Sequence, residues 1–193
     1  MENDTFAGSS HLRENSERYQ VGATVVYGLH GKCTITRVET RQISGESVEF
    51  YRMEVQKSPL SRSSKAEPAI WVPVANAIDK GVRHPASKGA AASALQILSN
   101  REYYFSLKDP WHIMHPRLEA VIRQEGVIGL AKAASYLHVL KTHTAAPSRD
   151  ILKMRENVNR LLLRELSDAL DEPISNVESR VAVMMRRKLI PSS

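Results

Sequence analysis

The chain of 193 residues has a single cysteine, Cys33, and no long hydrophobic run. One thiol excludes an internal disulfide and a cysteine-rich zinc site, and its apolar neighbours favour a buried structural thiol. No window approaches the roughly 18 apolar residues that a membrane-spanning helix needs. Residues 1–17 are polar and acidic, unlike the apolar centre of a signal peptide. We therefore expect a cytoplasmic protein.

The sequence also lacks the motifs of common enzyme classes. It has no phosphate-binding glycine-rich loop, no H-E-x-x-H metalloprotease motif and no nucleophile elbow. His112 and His115 have an H-x-x-H spacing, but no nearby cysteine or carboxylate cluster completes a set of metal ligands. We predict a protein without a catalytic site, bound metal or cofactor. A small hydrolase that uses Cys33 or the histidines is the alternative class.

Positive charge is in modest excess and is unevenly distributed. The net charge is +6, and residues 86–193 carry sixteen basic and eleven acidic residues. A basic surface attracts polyanions such as nucleic acid, but an excess of this size is also compatible with an ordinary solvated surface. Charge alone therefore leaves nucleic-acid binding open.

Residues 19–85 have the pattern of a small β domain. Short stretches rich in β-branched and aromatic residues are separated by turn signals such as Ser44-Gly45-Glu46. The predicted strands lie within residues 19–31, 32–40, 48–55 and 69–74. In the first of them, Val21, Val25 and Tyr27 alternate with small or polar residues and are predicted to face the core. The spacing predicts a small, strongly bent barrel, preceded by a disordered leader over residues 1–18.

From residue 90 onward the apolar residues follow a helical period, which predicts an all-α domain over residues 90–190 and an α+β fold class. Pro110 and Pro116 argue against a regular helix between them. Ser148 is predicted to cap the fourth helix, and Ser175 with Glu178 to form the capping box of the fifth. The five predicted helices lie within residues 91–98, 117–124, 128–143, 149–170 and 175–190.

Two tryptophans are candidate interaction residues. Trp111 lies between two prolines and has the cations Lys108, His115 and Arg117 close by in sequence. It either fills the gap between helices or serves as an exposed wedge that stacks on bases while its cationic neighbours contact phosphates. Trp71 alternates with Ile70 and Val72, so it points outward if these two face the core. An outward tryptophan on a small β domain suggests a protein interface.

Several motifs together resemble the CarD/CdnL family of bacterial transcription regulators. The first is V-G-x-x-V-V-Y-x-x-H-G over residues 21–31, and the second is Val38-Glu39-Thr40-Arg41 ahead of a glycine-containing hairpin turn. Val72-Pro73-Val74, Asn76-Ala77 and Gly81-Val82-Arg83 are similar to the end of the family's N-terminal domain. A lone tryptophan about thirty residues later, Trp111, is followed by helices. The resemblance covers residues 19–183.

The resemblance implies a Tudor-like β domain that binds the β subunit of RNA polymerase. It also implies a helical domain that contacts promoter DNA at the upstream edge of the transcription bubble and stabilises the open complex. Trp111 would be the wedge in the minor groove, with Lys108, His115 and Arg117 as further DNA contacts. Arg41 and Trp71 would contact the polymerase.

These expectations describe a monomeric transcription regulator that is associated with the nucleoid through RNA polymerase. An alternative is an adaptor that binds polymerase or another protein through the same β domain without touching DNA.

Overall fold

The computed structural model describes residues 18–56, 68–100, 104–144 and 146–187, and within them five strands are followed by five α-helices. All of the predicted leader except Arg18 lies outside the described residues, and so does nearly all of the predicted loop over residues 56–68. We call residues 18–83 the β unit and residues 88–187 the helical unit.

The β unit is one antiparallel sheet. Its strands are Thr24–Tyr27 (β1), Gly31–Ile43 (β2), Glu46–Val55 (β3), Ile70–Pro73 (β4) and Val82–Arg83 (β5). They are arranged in the order β4-β3-β2-β1-β5. The hairpin of β2 and β3 turns at Ser44 and Gly45, whose φ angles of 52° and 87° suit a two-residue hairpin turn.

One face of this sheet carries the core of the β unit. The largest side chains buried there are Ile35, Tyr51 and Met53, each at most 1% exposed, and the Cys33 thiol is buried among them as predicted. Tyr19 covers one end of the core. Its backbone N–H donates to the Tyr51 hydroxyl oxygen at 2.9 Å, and its own hydroxyl donates to the Val82 carbonyl oxygen at 3.2 Å.

The first strand is shorter than predicted. It begins at Thr24, and Val21 is 59% exposed, so the prediction that Val21 faces the core is wrong. Val25 and Val26 are both buried, which simple alternation does not predict. The reason is that Val25 belongs to the β core, whereas Val26 lines a cleft that it shares with Leu161 of the helical unit.

The strands form an open sheet. The short strands β4 and β5 lie at its two ends and do not pair with each other in the described part of the chain. The α+β class is therefore confirmed, whereas closure of the β unit into a barrel is not shown.

Capping residues and helix-breaking residues set the ends of the five helices. They are Lys88–Ser99 (α1), Trp111–Glu125 (α2), Val127–His143 (α3), Arg149–Leu170 (α4) and Ile174–Arg187 (α5). The Ser148 hydroxyl oxygen accepts a hydrogen bond from the Ile151 backbone N–H at 3.3 Å, as predicted for the N-cap of α4. Ser87 caps α1 in the same way through the Ala90 N–H.

Two helix starts differ from the prediction. Helix α2 begins at Trp111, directly after Pro110, and continues through Pro116. Pro116 is the sixth residue of the helix, so the helix forms there although one interior hydrogen bond is lost. Helix α5 begins at Ile174, so Ser175 lies inside it and the predicted capping box is wrong. The Pro173 carbonyl oxygen accepts the first hydrogen bonds of α5 instead.

Helix α3 is the centre of the helical core. It packs against α1, α2 and α4, and its alanines are buried on more than one side, which allows close helix packing. The apolar stripe of α4 faces it. The buried members of this stripe are Ile151, Met154, Val158, Leu161, Leu162 and Leu166. Among the described helices, none is both long and apolar enough to cross a membrane.

Candidate functional site

Arg41 and Trp71 come together on the face of the sheet that points away from the β core. The carbon at the centre of the Arg41 guanidinium lies 3.5 Å from the centre of the Trp71 ring, in a cation–π arrangement. Trp71 is opposite Arg52 on β3, while its neighbour Val72 is 2% exposed in the core. The two residues are thirty positions apart in sequence. Pairing of β2 and β4 with the two edges of β3 brings their side chains into contact.

Partly exposed apolar side chains continue this surface. On β3, Val48 pairs with Arg41 and Phe50 pairs with both Glu39 and Pro73, so these residues share the outward face. We call this surface the outer β face and define it by Arg41, Val48, Phe50, Trp71 and Pro73. Its combination of an aromatic pair, an arginine and apolar neighbours is typical of residues that dominate protein interfaces.

Glu39 moderates the positive charge of the outer β face. Its carboxylate lies 3.8 Å from the Arg41 guanidinium and 3.9 Å from that of Arg37. Side chains this exposed gain little stability from such pairs. Arg41, whose side chain is 45% exposed, can therefore exchange Glu39 for a carboxylate of a partner at small cost.

Val48 and Phe50 were not predicted as functional residues. Their β-branched and aromatic character indicated a strand, but which face each one joins depends on the pairing of β2 with β3. The available signal was the Ser44-Gly45 turn, because a two-residue hairpin turn sets the register of its strands.

Trp111 is the first residue of α2. Its ring is partly buried, packs against the helical core and meets the ring of His115 edge to face at 5.3 Å. One turn of helix thus carries both the tryptophan and a histidine. Ile113 in the same turn is 50% exposed. The indole thus fills part of a gap between helices and keeps part of its surface in solvent.

The cations predicted to surround Trp111 have acidic neighbours. Arg117 lies 3.7 Å from the Asp109 carboxylate, and His115 lies 4.0 Å from Glu119. Lys108 is exposed in the turn before α2. The immediate surroundings of Trp111 are consequently close to neutral.

Helix α4 adds a basic surface that the sequence interpretation overlooked. Arg149, Lys153 and Arg160 are exposed and recur at intervals of four and seven residues, which places them on one side of the helix. The exposed Glu156 lies among these three cations and lowers the positive charge of this side. We call these three residues the α4 basic stripe. The spacing was visible in the sequence, where only the apolar stripe of the same helix was interpreted.

The α4 basic stripe begins at the same end of the helical unit as Trp111. Helix α3 packs against both α2 and α4, and short connections link the three helices. Packed helices joined by short connections run in opposite directions. Helices α2 and α4 are therefore both antiparallel to α3, which places Trp111 and the pair Arg149 and Lys153 toward the C-terminal half of α3.

Tyr136 on α3 lies beneath this end. It is 4% exposed and contacts the Phe105 ring edge to face at 5.5 Å. Burial raises the pKa of the Tyr136 phenol above its ordinary value of 10.0, and the nearby Asp109 carboxylate raises it further. The hydroxyl therefore stays neutral near pH 7.

A metal centre has no support in the described residues, which contain no group of three or more histidine, cysteine, aspartate or glutamate side chains placed to hold an ion. His112 and His115 lie in the first turn of α2, and His112 is exposed.

The geometry thus gives two candidate contact surfaces, an aromatic and basic face on the sheet and a partly exposed tryptophan at the start of a helix. Residues 19–83 match the CarD-like/TRCF RID domain family. The match includes all five strands together with Arg41 and Trp71, and it ends at Arg83. The chain therefore carries a CarD-like domain that interacts with RNA polymerase, which confirms the resemblance for this part of the chain. Trp111 and the helices lie outside the matched residues.

Proposed function

We propose that this protein is a non-enzymatic bacterial transcription factor that binds the RNA polymerase β subunit through its outer β face and stabilises the promoter open complex. The observation that carries the proposal is the coincidence of the RID match with the Arg41–Trp71 pair. In this proposal the β unit acts as a Tudor-like docking module. The protein works as a monomer in the cytoplasm, where polymerase holds it at the nucleoid.

The second half of the proposal is that the helical unit contacts DNA at the upstream edge of the transcription bubble. Trp111 supports it, because a partly exposed indole at a helix start can insert between bases in the minor groove. The α4 basic stripe at the same end of the unit supplies cations for phosphates, in addition to Lys108, His115 and Arg117.

The effect on transcription follows from differential binding. A protein that binds the open junction more tightly than closed duplex shifts the equilibrium by the difference between the two binding free energies. Unpaired bases at the edge of the bubble offer an exposed stacking surface that closed duplex does not offer. A stacking contact is worth about 1–3 kcal/mol per base, enough to change the lifetime of an open complex about five- to a hundred-fold.

Binding to a fork-junction DNA probe tests the DNA half of the proposal. We expect measurable binding that weakens as salt is raised, because each phosphate contact contributes a slope of about 0.7–0.9 in a plot of log affinity against log salt. The double substitution Arg149→Gln and Lys153→Gln should reduce this slope by about one to two units. Lys88→Gln, an exposed lysine at the start of α1, serves as the control and should leave the slope unchanged.

An adaptor without DNA contact is the second candidate function. It is favoured by the acidic partners Asp109 and Glu119, which neutralise the cations next to Trp111. The adaptor would retain polymerase in a pull-down from bacterial lysate but show no salt-dependent binding to the fork probe. Loss of polymerase binding as well would contradict both candidates.

A further inference from the structure

Glu165 is a buried carboxylate at the C-terminal end of the apolar stripe of α4. Its side chain is 8% exposed, and the neighbouring buried positions on the helix are apolar. Its partner comes from the β unit. The two terminal nitrogens of the Arg83 guanidinium, on β5, donate to the two Glu165 carboxylate oxygens at 2.5 and 2.8 Å. A buried carboxylate without such a partner is strongly unfavourable. The pair therefore ties the last strand of the β unit to the longest helix.

Glycines let the two units approach each other closely at this contact. A Cβ atom on Gly126, between α2 and α3, would lie 2.7 Å from Nε of Arg83. A Cβ atom on Gly31 at the start of β2 would lie 2.6 Å from a methyl carbon of Leu161 on α4. Both glycines also have positive φ, of 61° and 81°, which other residues rarely adopt. A larger residue at either position would displace the Leu161 or the Arg83 side chain.

Further polar contacts surround the Arg83–Glu165 pair. The Lys32 amine bonds to the Asp168 carboxylate at 3.0 Å. Arg164 donates to the Gln56 carbonyl oxygen at 3.1 Å, and Asn157 donates to that of Leu29 at 3.4 Å. Only residues 84–87 connect β5 to α1. We call this whole contact between the β unit and α4 the seam.

We propose that Arg83 is a positioning residue that holds the β unit and the helical unit in one fixed orientation. Through the seam it determines where Trp111 lies relative to the outer β face. The bidentate contact between Arg83 and Glu165 fixes the relative orientation of β5 and α4 as well as their distance, because two parallel N–H···O bonds align the guanidinium with the carboxylate. This inference rests on the proposed function only for its consequence in transcription; the fixed orientation itself is a property of the free protein.

A fixed orientation matters because relative motion is the ordinary behaviour of neighbouring domains within a chain. If the units moved freely, docking on polymerase would leave Trp111 spread over a range of positions. The entropy of ordering the helical unit would then be lost when DNA binds. With the seam intact, docking of the β unit delivers Trp111 to one place.

Spin-label distance measurements on the free protein test the fixed orientation. Thr40 on β2 and Ser179 on α5 are exposed and lie in different units, and Cys33 is buried, so Thr40→Cys and Ser179→Cys carry the labels. We expect one narrow distance distribution. Arg83→Leu should broaden or shift this distance distribution. Without Arg83, the buried Glu165 carboxylate has lost its partner and draws water into the seam. An unchanged narrow distribution in Arg83→Leu would overturn the proposal.

Further variants distinguish a loss of the fixed orientation from a general loss of stability. Arg180→Leu removes another arginine–glutamate pair, in which Arg180 bonds to both oxygens of Glu172 inside the helical unit, and it should leave the distribution narrow. Adding Glu165→Leu to Arg83→Leu removes the unpaired charge, but the distribution should stay broader than that of the original protein, because the two parallel hydrogen bonds of the pair are still absent. If Arg83→Leu does not fold, Glu165→Gln takes its place and should broaden the distribution to a smaller extent.

The consequence for transcription is measured in separate binding and open-complex lifetime experiments. Arg83→Leu should bind polymerase and the fork-junction probe, each tested alone, within about twofold of the original protein. Its effect on open-complex lifetime should nevertheless fall to the level of Trp111→Ala. If neither variant changes the lifetime while the distance distribution broadens, the proposed function fails and the fixed orientation stands. If Trp111→Ala shortens the lifetime while Arg83→Leu keeps full activity with a broadened distribution, the positioning role is wrong.

Discussion

The guanidinium of Arg41 stacks on the indole of Trp71 across the intervening strand β3, with 3.5 Å between the guanidinium carbon and the ring centre. Neither residue packs into the β core, so the pair is available to a partner. A cation–π contact of this kind contributes about 0.5–2 kcal/mol and reduces the freedom of the arginine before binding. In the proposed function this contact preorganises the pair for docking.

Arg41→Glu should abolish retention of the RNA polymerase β subunit in a pull-down. The substitution reverses the charge, removes the contact with Trp71 and places a second carboxylate beside Glu39. Arg18→Glu makes the same change in charge at an exposed arginine paired with Glu49 and away from the outer β face, and it should retain the β subunit. Normal retention by Arg41→Glu would move the interface elsewhere on the protein.

Trp111→Ala should shorten the lifetime of the open complex on a responsive promoter by about five- to a hundred-fold, the range expected for one lost stacking contact. Polymerase binding should be unaffected, because Trp111 lies outside the β unit. Trp111→Phe keeps an aromatic ring and should retain part of the effect. Ile113→Ala, which truncates an exposed apolar side chain in the same turn, should have little effect. A Trp111→Ala protein with full activity would exclude the wedge.

Arg83→Leu should lower the free energy of unfolding by about 3–5 kcal/mol, because it leaves the Glu165 carboxylate buried without its partner. The double variant with Glu165→Leu should recover most of this loss, since two apolar side chains can replace a buried ion pair with little net cost. Urea unfolding of both variants measures the difference. Equal destabilisation of the single and double variants would show that the charge on Glu165 is not the cause.

Stability should fall as the pH rises above 10, in part because of Tyr136. Its pKa in the folded protein is raised above 10.0 by burial and by Asp109, so its contribution to stability is complete below pH 10 and is lost as the pH rises through the folded pKa. Tyr136→Phe should reduce the loss of stability over this range, measured by urea unfolding at a series of pH values. Asp109→Asn should lower the Tyr136 pKa, which ultraviolet absorbance of the phenolate follows.

The helical unit was the more predictable half of the fold. Apolar residues at helical spacing marked α3 and α4 within a few residues of their observed ends, and Ser148 caps α4 as predicted. These features depend on residues at most four positions apart. The predicted start of α2 is wrong because proline disfavours a helix locally, whereas packing of α2 against α3 holds the helix through Pro116.

The β unit was predictable in class and family but not in its contacts. Apart from Trp111 and the helices after it, the motifs that carry the resemblance lie in residues 19–83, the part of the chain that matches the RID family. Whether Val26 faces the sheet core or the helices could not be read from alternation, because both faces of β1 are covered. Closure of the sheet likewise depends on edge strands that are far apart in sequence.

The sequence by itself determined the α+β class, the order of strands and helices, and the two tryptophans as candidate contacts, because each rests on short-range patterns of polarity and residue type. Only the tertiary structure decided that Arg41 stacks on Trp71 and that Arg83 pairs with Glu165. Partners separated by thirty and by eighty-two positions meet through strand register and the packing of a sheet against a helix. Those arrangements follow from the burial of the whole chain, which no local pattern specifies.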